Sequence, residues 1–207
     1  MVKRPINPAS LATLAALATC CVLLAAGPAP AAIYIDVGNV RLLPDTPGQT
    51  VQVWLTTDAA DYVAGCNFNA QIGNGGPDFG GLAGPTISAV DLETGTIFDG
   101  DNRGQTDLGS LAQLAMYSIV TDSGTVQAAG LLATLTIDTT GFTTPGSTWT
   151  LTLDQTLNGP TDFAPTTAII SDGTITLTPE PASVALLAIG GLGLLIRRRR
   201  GLWHPKA

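Results

Sequence analysis

The sequence predicts an all-β domain, an antiparallel β-sandwich, with one short apolar segment at each end of the chain. Polar and apolar residues alternate with a period of two in several segments between residues 33 and 178, which is the pattern of strands with one buried face. Breaks rich in Gly, Pro, Asp and Ser separate these segments. Of the 207 residues, 45% are hydrophobic and 12% are charged, which excludes a disordered chain.

Seven to nine strands are predicted. The first covers residues 33–37, and the clearest alternation follows in residues 50–57 and 62–72. Residues 111–120 also match one helix, but their β-branched and aromatic residues favour a strand. Further strands are predicted over residues 86–92, 131–138, 147–154 and 172–178.

The alternation also predicts which side chains face the core. They are apolar and occupy every second position of their strands: Val51, Val53, Leu55, Tyr62, Ala64, Cys66, Phe68, Ala70, Ile72, Leu131, Ala133, Leu135, Ile137, Trp149, Leu151, Leu153, Ile175 and Leu177. Asn67, Asn69 and Gln71 are predicted on the opposite face of their strand.

Charge is segregated along the chain. Residues 33–178 hold only Arg41 and Arg103 against fourteen Asp and Glu93, which gives this stretch a net charge of −13. The other cationic residues lie near the two termini. Nucleic acid is excluded as a partner of the middle domain, because its binding needs a basic surface.

The N-terminal segment has the order of a secretory signal peptide. Lys3 and Arg4 precede an apolar run over residues 11–26, and Ala29-Pro30-Ala31 supplies small residues for cleavage. We expect a signal-peptide helix within residues 1–31, removed by signal peptidase. Two alternatives remain open. A retained anchor would use a run shorter than the roughly 20 residues of a span, and lipidation at Cys20 would follow a poorly matching Thr19.

The C-terminal segment is predicted to form a short transmembrane helix. Residues 182–196 are apolar, and Arg197, Arg198, Arg199 and Arg200 follow them. Such a helix is shorter than the roughly 30 Å hydrocarbon core, so we expect the arginines to snorkel to the interface. They stop translocation and stay cytoplasmic with the tail of residues 201–207, which leaves the acidic domain outside.

Pro179-Glu180-Pro181 stands directly before this helix, and its two prolines keep the backbone extended. The motif, the short apolar helix and the basic cluster, in that order over residues 179–200, resemble the PEP-CTERM protein-sorting signal. The resemblance implies an exosortase as partner, a transient inner-membrane anchor, and release to the cell surface or extracellular matrix. A plain single-pass anchor is the alternative.

The middle of the chain, residues 32–178, is similar to a cohesin-like domain. Pro47-Gly48 before an alternating strand, Asn67-Phe68-Asn69 within the next, and the later segment of residues 130–141 carry this resemblance. It implies a jelly-roll sandwich that serves as a recognition or structural module and is related in architecture to carbohydrate-binding domains.

The exported part lacks the side chains that most catalytic sites use. The sole histidine, His204, lies in the predicted cytoplasmic tail, and Cys66 is the only thiol left after removal of the signal peptide. Ser-His-Asp and Cys-His catalysis therefore have no base, and zinc has no ligand set. No catalytic residue is predicted, and a hydrolase that uses two aspartates is the remaining enzyme hypothesis.

One acidic loop has the spacing of a calcium site. Asp99, Asp101 and Asp107 take positions 1, 3 and 9 of this loop, and the carbonyl of Gln105 takes position 7. An arginine at position 5 and a serine at position 12 depart from the pattern. Calcium is the one cofactor considered, and the alternative is a solvated acidic loop held by Asx turns.

Trp54 is the candidate ligand-binding residue. It projects from the polar side of its strand, between Gln52 and Thr56. An exposed Trp on a flat sheet stacks on a sugar ring or anchors a partner, so extracellular polysaccharide is a candidate partner. The alternative is a side chain covered by the loop of residues 73–85 or by a neighbouring strand.

Together these features predict an exported, non-enzymatic protein of the cell surface or extracellular matrix with a structural or adhesive role. The alternative is a carbohydrate- or protein-binding module of the cell surface, assisted by calcium. The expected partners are signal peptidase, an exosortase and, through the transient C-terminal helix, the membrane.

We expect mass spectrometry of the exported protein to find Ala32 as its first residue, because Ala29 and Ala31 place small side chains where signal peptidase needs them. A mature protein that retains residues 11–26 would contradict the signal peptide and favour the retained anchor. Lipid mass on an N-terminal Cys20 would favour the lipoprotein alternative.

Overall fold

A computed structural model describes residues 32–58, 61–76, 84–179 and Ile189. Every element in the three longer ranges is a β-strand. Among the described residues, no helix has the length and apolar character to cross a bilayer. The predicted signal-peptide helix lies outside these residues, and so does the predicted transmembrane helix apart from the helical Ile189. Both helices therefore stay predictions.

The described ranges form fourteen strands, more than the seven to nine expected, because several contain only two to four residues. Their bounds are β1 Ile33–Asp36, β2 Asn39–Leu42, β3 Gln49–Thr57, β4 Tyr62–Val63, β5 Gly65–Ile72, β6 Thr86–Asp91, β7 Thr106–Asp107, β8 Leu114–Val120, β9 Val126–Gln127, β10 Gly130–Asp138, β11 Thr148–Thr152, β12 Asp162–Ala164, β13 Ala168–Ser171 and β14 Gly173–Leu177. Residues 111–120 thus form a strand over most of their length, as predicted.

These strands form two main sheets. The five-stranded sheet has the order β13-β1-β3-β10-β6, and the seven-stranded sheet has the order β2-β14-β11-β5-β8-β7, with β12 also paired to β5. β4 and β9 pair separately. The all-β sandwich is confirmed, but the expectation of a wholly antiparallel arrangement is wrong. β1 pairs with β13 in parallel, and β2 pairs with β14 in parallel. The last two strands of the domain therefore run in the same direction as the first two.

Alternate residues from both sheets build one hydrophobic core. Val53 and Leu135 from the five-stranded sheet, and Phe68, Leu151 and Ile175 from the seven-stranded sheet, are fully buried. All five belong to the same cluster of packed side chains. Each such side chain stabilises the fold by about 1.5–3 kcal/mol through removal of apolar surface from water. Most of the side chains that the period-two alternation placed in the core are therefore buried there.

The first strands of the domain run beside the last ones in a parallel arrangement that we call the terminal ladder, residues 33–42 with residues 168–177. Ile33 pairs with Ala168, and Leu42 pairs with Leu177, so the same offset of 135 residues holds from end to end. Both segments cross from the five-stranded to the seven-stranded sheet at the same point. There the Thr174 N–H donates to the Gly38 carbonyl at 3.1 Å. The terminal ladder joins the two sheets.

The predicted strand over residues 62–72 is two strands that break at Ala64. Tyr62 is 54% exposed and Ala64 only half-buried, whereas Val63 is fully buried, which reverses the predicted faces. The reason is that β4 leaves the seven-stranded sheet to pair with β9. The inward positions of Cys66, Phe68, Ala70 and Ile72 in β5 are confirmed.

Two further core predictions need correction. The register of β10 shifts between Leu131 and Ala133 where it pairs with β3, so Leu132 is fully buried and Leu131 only half-buried. Such a bulge adds one residue and reverses the alternation beyond it. Trp149 is also half-buried, and its ring packs edge-to-face on Phe142 with the centroids 5.2 Å apart.

The outer face of β5 is exposed at Asn67, as predicted, but is covered at Asn69 and Gln71. The Asn69 amide Nδ2 donates to the Pro160 carbonyl at 3.0 Å, and the Gln71 Oε1 accepts from the Leu157 N–H at 2.8 Å. Thr161 bonds to the Asn69 backbone through its hydroxyl. Because the segment of residues 156–161 lies over these two polar side chains, both are buried although they point away from the core.

Gly173 lies at the crossing point of the terminal ladder, where no side chain can be accommodated. A Cβ added there would overlap the Gly38 carbonyl oxygen and would lie 2.8 Å from Val37 Cγ1. Gly38, on the facing segment, has a positive φ of 67° but open space around it. The two glycines are therefore needed for different reasons: one for close approach, the other for its backbone conformation.

We expect Gly173→Ala to lower the free energy of unfolding by about 3 kcal/mol or more, because backbone atoms would have to separate at the crossing. Gly38→Ala is the matched control, with an expected loss of about 1 kcal/mol from left-handed backbone strain alone. Urea denaturation of the two variants measures both values. Equal losses would contradict the close packing of the terminal ladder.

Candidate functional site

The one thiol in the described residues is inert. Cys66 is 4% exposed and lies in the core cluster, on β5 between its paired strands β8 and β12. Burial raises the pKa of its thiol, with a smaller contribution from the negative charge of Asp162. A thiol with a raised pKa yields little thiolate, which is the reactive form. The arrangement supports packing by Cys66 rather than nucleophilic chemistry.

A shallow depression of about 270 Å³ lies where β5, β8 and β12 meet. Its lining comes from residues 64–67, residues 118–120 and Ala164, and contains no carboxylate, imidazole or amine. Gly65 is needed there, because an added Cβ would lie 2.6 Å from the Ile119 carbonyl oxygen. The depression offers mainly backbone and small apolar surface, so it holds no group for acid–base catalysis.

The predicted acidic loop is held together by its own carboxylates. Asp107 Oδ1 accepts from the N–H groups of Gly109 and Ser110 at 2.9 and 2.8 Å, and Asp99 Oδ2 accepts from the Gly95 N–H at 3.0 Å. Hydrogen bonds from the Ser110 and Gly109 N–H groups lower the pKa of Asp107. The bonds of Asp107 are those of an Asx-type turn, and the bond of Asp99 reaches back four residues along the chain.

Asp101 links this loop to another one. Its Oδ1 accepts from the Asp122 and Ser123 N–H groups at 3.0 and 2.8 Å, and its Oδ2 accepts from the Ser123 hydroxyl at 2.6 Å. Arg103 contacts the same second loop through Asp122, at 3.3 Å between Nε and Oδ1. The arginine that departs from the calcium pattern therefore forms an exposed ion pair with this second loop.

The side chain of Gln105 is held by the backbone at the end of β6. It donates to the Val90 carbonyl at 2.7 Å and accepts from the Leu92 N–H at 2.8 Å, which fastens the loop to the end of β6. Over the residues that the structure describes, no three His, Cys, Asp or Glu side chains are grouped so as to hold a metal ion. Calcium binding through the backbone carbonyl of Gln105 and the three aspartates stays a prediction.

Trp54 lies on the outer face of the five-stranded sheet and is 48% exposed. Its neighbours Val53 and Leu55 point into the core, as the alternation predicted. Asp36 of β1 is directly opposite Trp54, and Tyr34 is opposite Thr56, so these four side chains share one face. Ile169 of β13 is opposite Tyr34 and is 58% exposed.

We call the surface of Tyr34, Asp36, Trp54, Thr56 and Ile169 the aromatic face. Directly opposite residues on paired strands have Cβ atoms about 5 Å apart, and diagonal neighbours about 7–8 Å. Trp54 is therefore close to both the Asp36 carboxylate and the Tyr34 ring. The face combines exposed apolar area with hydrogen-bonding groups, which is the composition of a binding surface rather than of a catalytic site.

The tyrosine of this face is fixed at its outer end. The Tyr34 hydroxyl donates to Asp58 Oδ2 at 3.0 Å, and this hydrogen bond, with the charge of Asp58, raises the pKa of the hydroxyl. The phenol therefore stays neutral and remains a donor. Asp36 is fixed as well, since its Oδ1 accepts from the Gly38 N–H at 2.9 Å.

Sequence reasoning identified Trp54 but not its companions. The predicted strand of residues 33–37 has Tyr34 and Asp36 on its polar side, which is a usable signal. What the sequence does not contain is the pairing of β1 with β3 on one side and with β13 on the other. Without that pairing, Tyr34, Asp36 and Ile169 are separate exposed residues.

The C-terminal end of the domain leads directly into the predicted sorting motif. Leu177, the last residue of β14, is fully buried, and the Thr178 N–H donates to the Leu42 carbonyl at 2.8 Å. Pro179 follows and is exposed. Glu180, Pro181 and the four arginines of residues 197–200 lie outside the described residues.

Comparison with known families decides the nature of this segment. Residues 177–200 match the model of the PEP-CTERM protein-sorting motif. The chain carries a PEP-CTERM signal. This motif indicates export and sorting to the cell surface, and it implies processing by an exosortase. The predicted resemblance over residues 179–200 is therefore confirmed.

Solved structures similar to the chain are cohesins. The third cohesin ScaC of Acetivibrio cellulolyticus, in complex with the ScaB dockerin, superposes with a TM-score of 0.52 at 14% identity, over 70% of this chain and 99% of that one. The seventh ScaB type I cohesin of Pseudobacteroides cellulosolvens gives 0.51 at 14% identity, over 72% and 93%. This likeness confirms the cohesin-like sandwich as a fold. No curated protein matches the chain in sequence.

We expect the protein to lose stability as the pH falls below 3.8, the usual aspartate value. Hydrogen bonds from the Ser123 hydroxyl and N–H lower the pKa of Asp101. A carboxylate with a lowered pKa stabilises the fold above its usual value, and this contribution is lost as the pH falls through the lowered one. Asp101→Asn should therefore reduce the fall in melting temperature between pH 6 and about pH 2.

Asp154→Asn, at an exposed aspartate outside the loop, is the control and should melt as the parent protein does at each pH. If the melting temperatures of the parent and of Asp101→Asn fall equally at low pH, the link of Asp101 to the second loop contributes nothing to stability.

Proposed function

We propose that this chain is an exported, non-enzymatic protein of the cell surface or extracellular matrix, with a structural or adhesive role, released by an exosortase through its C-terminal signal. The observation that carries the proposal is the match of residues 177–200 to the sorting motif, which begins at the last residue of β14. In this proposal the sandwich is the exported domain, and the segment after Thr178 is the sorting signal.

The membrane steps of the proposal follow from the order of segments. A cleaved signal peptide over residues 1–31 starts export, and the apolar residues 182–196 with Arg197–Arg200 halt it as a transient inner-membrane anchor. Processing near Pro179-Glu180-Pro181 then separates the sandwich from that anchor. The exposed Pro179 beside a bonded Thr178 supports this step, because a processing enzyme needs extended and accessible backbone.

A non-enzymatic role is supported by the chemistry of the sandwich. Its one thiol is buried with a raised pKa, and the sequence between residues 32 and 179 contains no histidine. The aspartates that sequence analysis selected accept hydrogen bonds from neighbouring backbone. A role in binding or structure needs none of these groups to react.

The aromatic face favours a second candidate, a glycan-binding module of the cell surface. Trp54 is 48% exposed on a regular strand, with a carboxylate and a phenol beside it. The cohesin ScaC named above was solved in complex with a dockerin, so a sandwich of this kind also supports protein binding. Calcium assistance through the acidic loop belongs to this candidate.

We expect the double change Pro179→Ala and Pro181→Ala to leave the full-length chain in the membrane fraction, because the motif loses its fixed extended backbone. Pro145→Ala, at an exposed turn proline, is the matched control and should be released normally. Immunoblots of membrane, surface and medium fractions measure the outcome. Release of the double variant at the parent level would contradict processing directed by this motif.

A further inference from the structure

We propose that the aromatic face binds a glycan that carries protonated amines, an amino-sugar polymer, rather than a neutral or anionic one. This inference rests on the glycan-binding candidate and names its ligand class. Its basis is the placement of Asp36 directly opposite Trp54 in the pairing of β1 with β3. A cation seated there meets a carboxylate and an aromatic ring together.

The apolar half of the site is supplied by three side chains on adjacent strands. Ile169, Tyr34 and Trp54 belong to β13, β1 and β3, which are neighbours in the five-stranded sheet. Adjacent strands are about 4.8 Å apart, so the three side chains span about 10 Å across the strands. The C–H face of a short oligosaccharide covers such a surface, with Trp54 as the main stacking ring.

The charged side chains around the site favour a ligand with positive charge. The strands β13, β1, β3, β10 and β6 contain no Lys, Arg or His, whereas β1, β6 and β10 each contain an Asp. The only cations of residues 33–178 are Arg41 in β2 of the other sheet and Arg103, which contacts Asp122. An ammonium near Asp36 and Trp54 therefore gains both ion-pair and cation–π attraction without a competing cation on these strands.

The charge of the whole domain acts in the same direction. With a net charge of −13, residues 33–178 attract cationic polymers and repel anionic ones within the Debye length of about 10 Å at ordinary ionic strength. A basic protein partner would benefit from the same field. We favour the glycan because stable protein interfaces bury about 800 Å² per partner, and the apolar side chains of the aromatic face are interrupted by the polar Asp36 and Thr56.

Isothermal titration calorimetry at low ionic strength tests the inference on the full chain in mild detergent. The titrants are oligomers of glucosamine, N-acetylglucosamine and glucose with the same length and linkage, and an oligolysine of equal charge. We expect the glucosamine oligomer to bind at least about tenfold more tightly than the acetylated and the neutral ones, since only its ammonium groups form an ion pair and a cation–π contact at this site.

Two variants with matched controls locate the binding. Trp54→Ala and Asp36→Asn should each weaken glucosamine binding about fivefold or more, in line with an exposed stacking or charge contact. Tyr62→Ala removes an equally exposed aromatic ring outside the face. Asp138→Asn changes an aspartate of the same sheet that, like Asp36, accepts from the N–H two residues later. Asn keeps that acceptor in both cases, so folding is preserved, and both controls should bind as the parent does.

The possible results separate the two proposals. Equal binding of all three sugar oligomers, lost in Trp54→Ala, would leave the face a glycan site and overturn the amine preference. Oligolysine bound as tightly as glucosamine and weakened by the same variants would overturn it in favour of a basic protein partner. Binding that all four variants weaken alike would mean attraction to the whole acidic surface. Absence of binding to every oligomer would overturn both the amine inference and the glycan candidate, and would leave the sorting proposal standing.

Discussion

The parallel pairing of residues 33–42 with residues 168–177 is the constraint on which the rest of the sandwich depends. It places one strand of each segment in each sheet, so the two sheets are joined through the same ribbon of backbone. Both partners must be present, and they are 135 residues apart. Contacts of such long sequence separation carry an entropic cost, because the long segment between the partners must be closed into a loop. The sandwich is therefore complete only when its final strand is available.

Much of the fold was predictable because a strand with one buried face has apolar side chains at every second position. Val53, Phe68 and Leu151 face the core as their positions in alternating segments predicted. The pattern carries no information about which strands pair, so the parallel arrangement was not foreseen. It also fails wherever the period is interrupted. The bulge at Leu131 and the departure of β4 at Tyr62 both reverse the faces, and both are caused by pairing with distant residues.

The candidate sites show the same division. Exposure of Trp54 follows from its place in β3, and the bonds within the acidic loop involve residues two to four positions apart. The position of Asp36 beside Trp54, and the contact of Asp101 with Ser123, depend on tertiary structure. The burial of Asn69 and Gln71 is a third case, since the segment that covers them is about 90 residues away. Interactions between residues close in sequence can be predicted from the sequence. The surfaces formed by residues from distant strands cannot.

The hydrogen bond that follows β14 determines where the C-terminal sorting signal leaves the sandwich. The Thr178 N–H donates to the Leu42 carbonyl, and the exposed Pro179 is the next residue. No linker therefore separates the last hydrogen bond of the sandwich from the Pro179-Glu180-Pro181 motif. If the chain is anchored as proposed, its tether starts directly after the last hydrogen bond of β14.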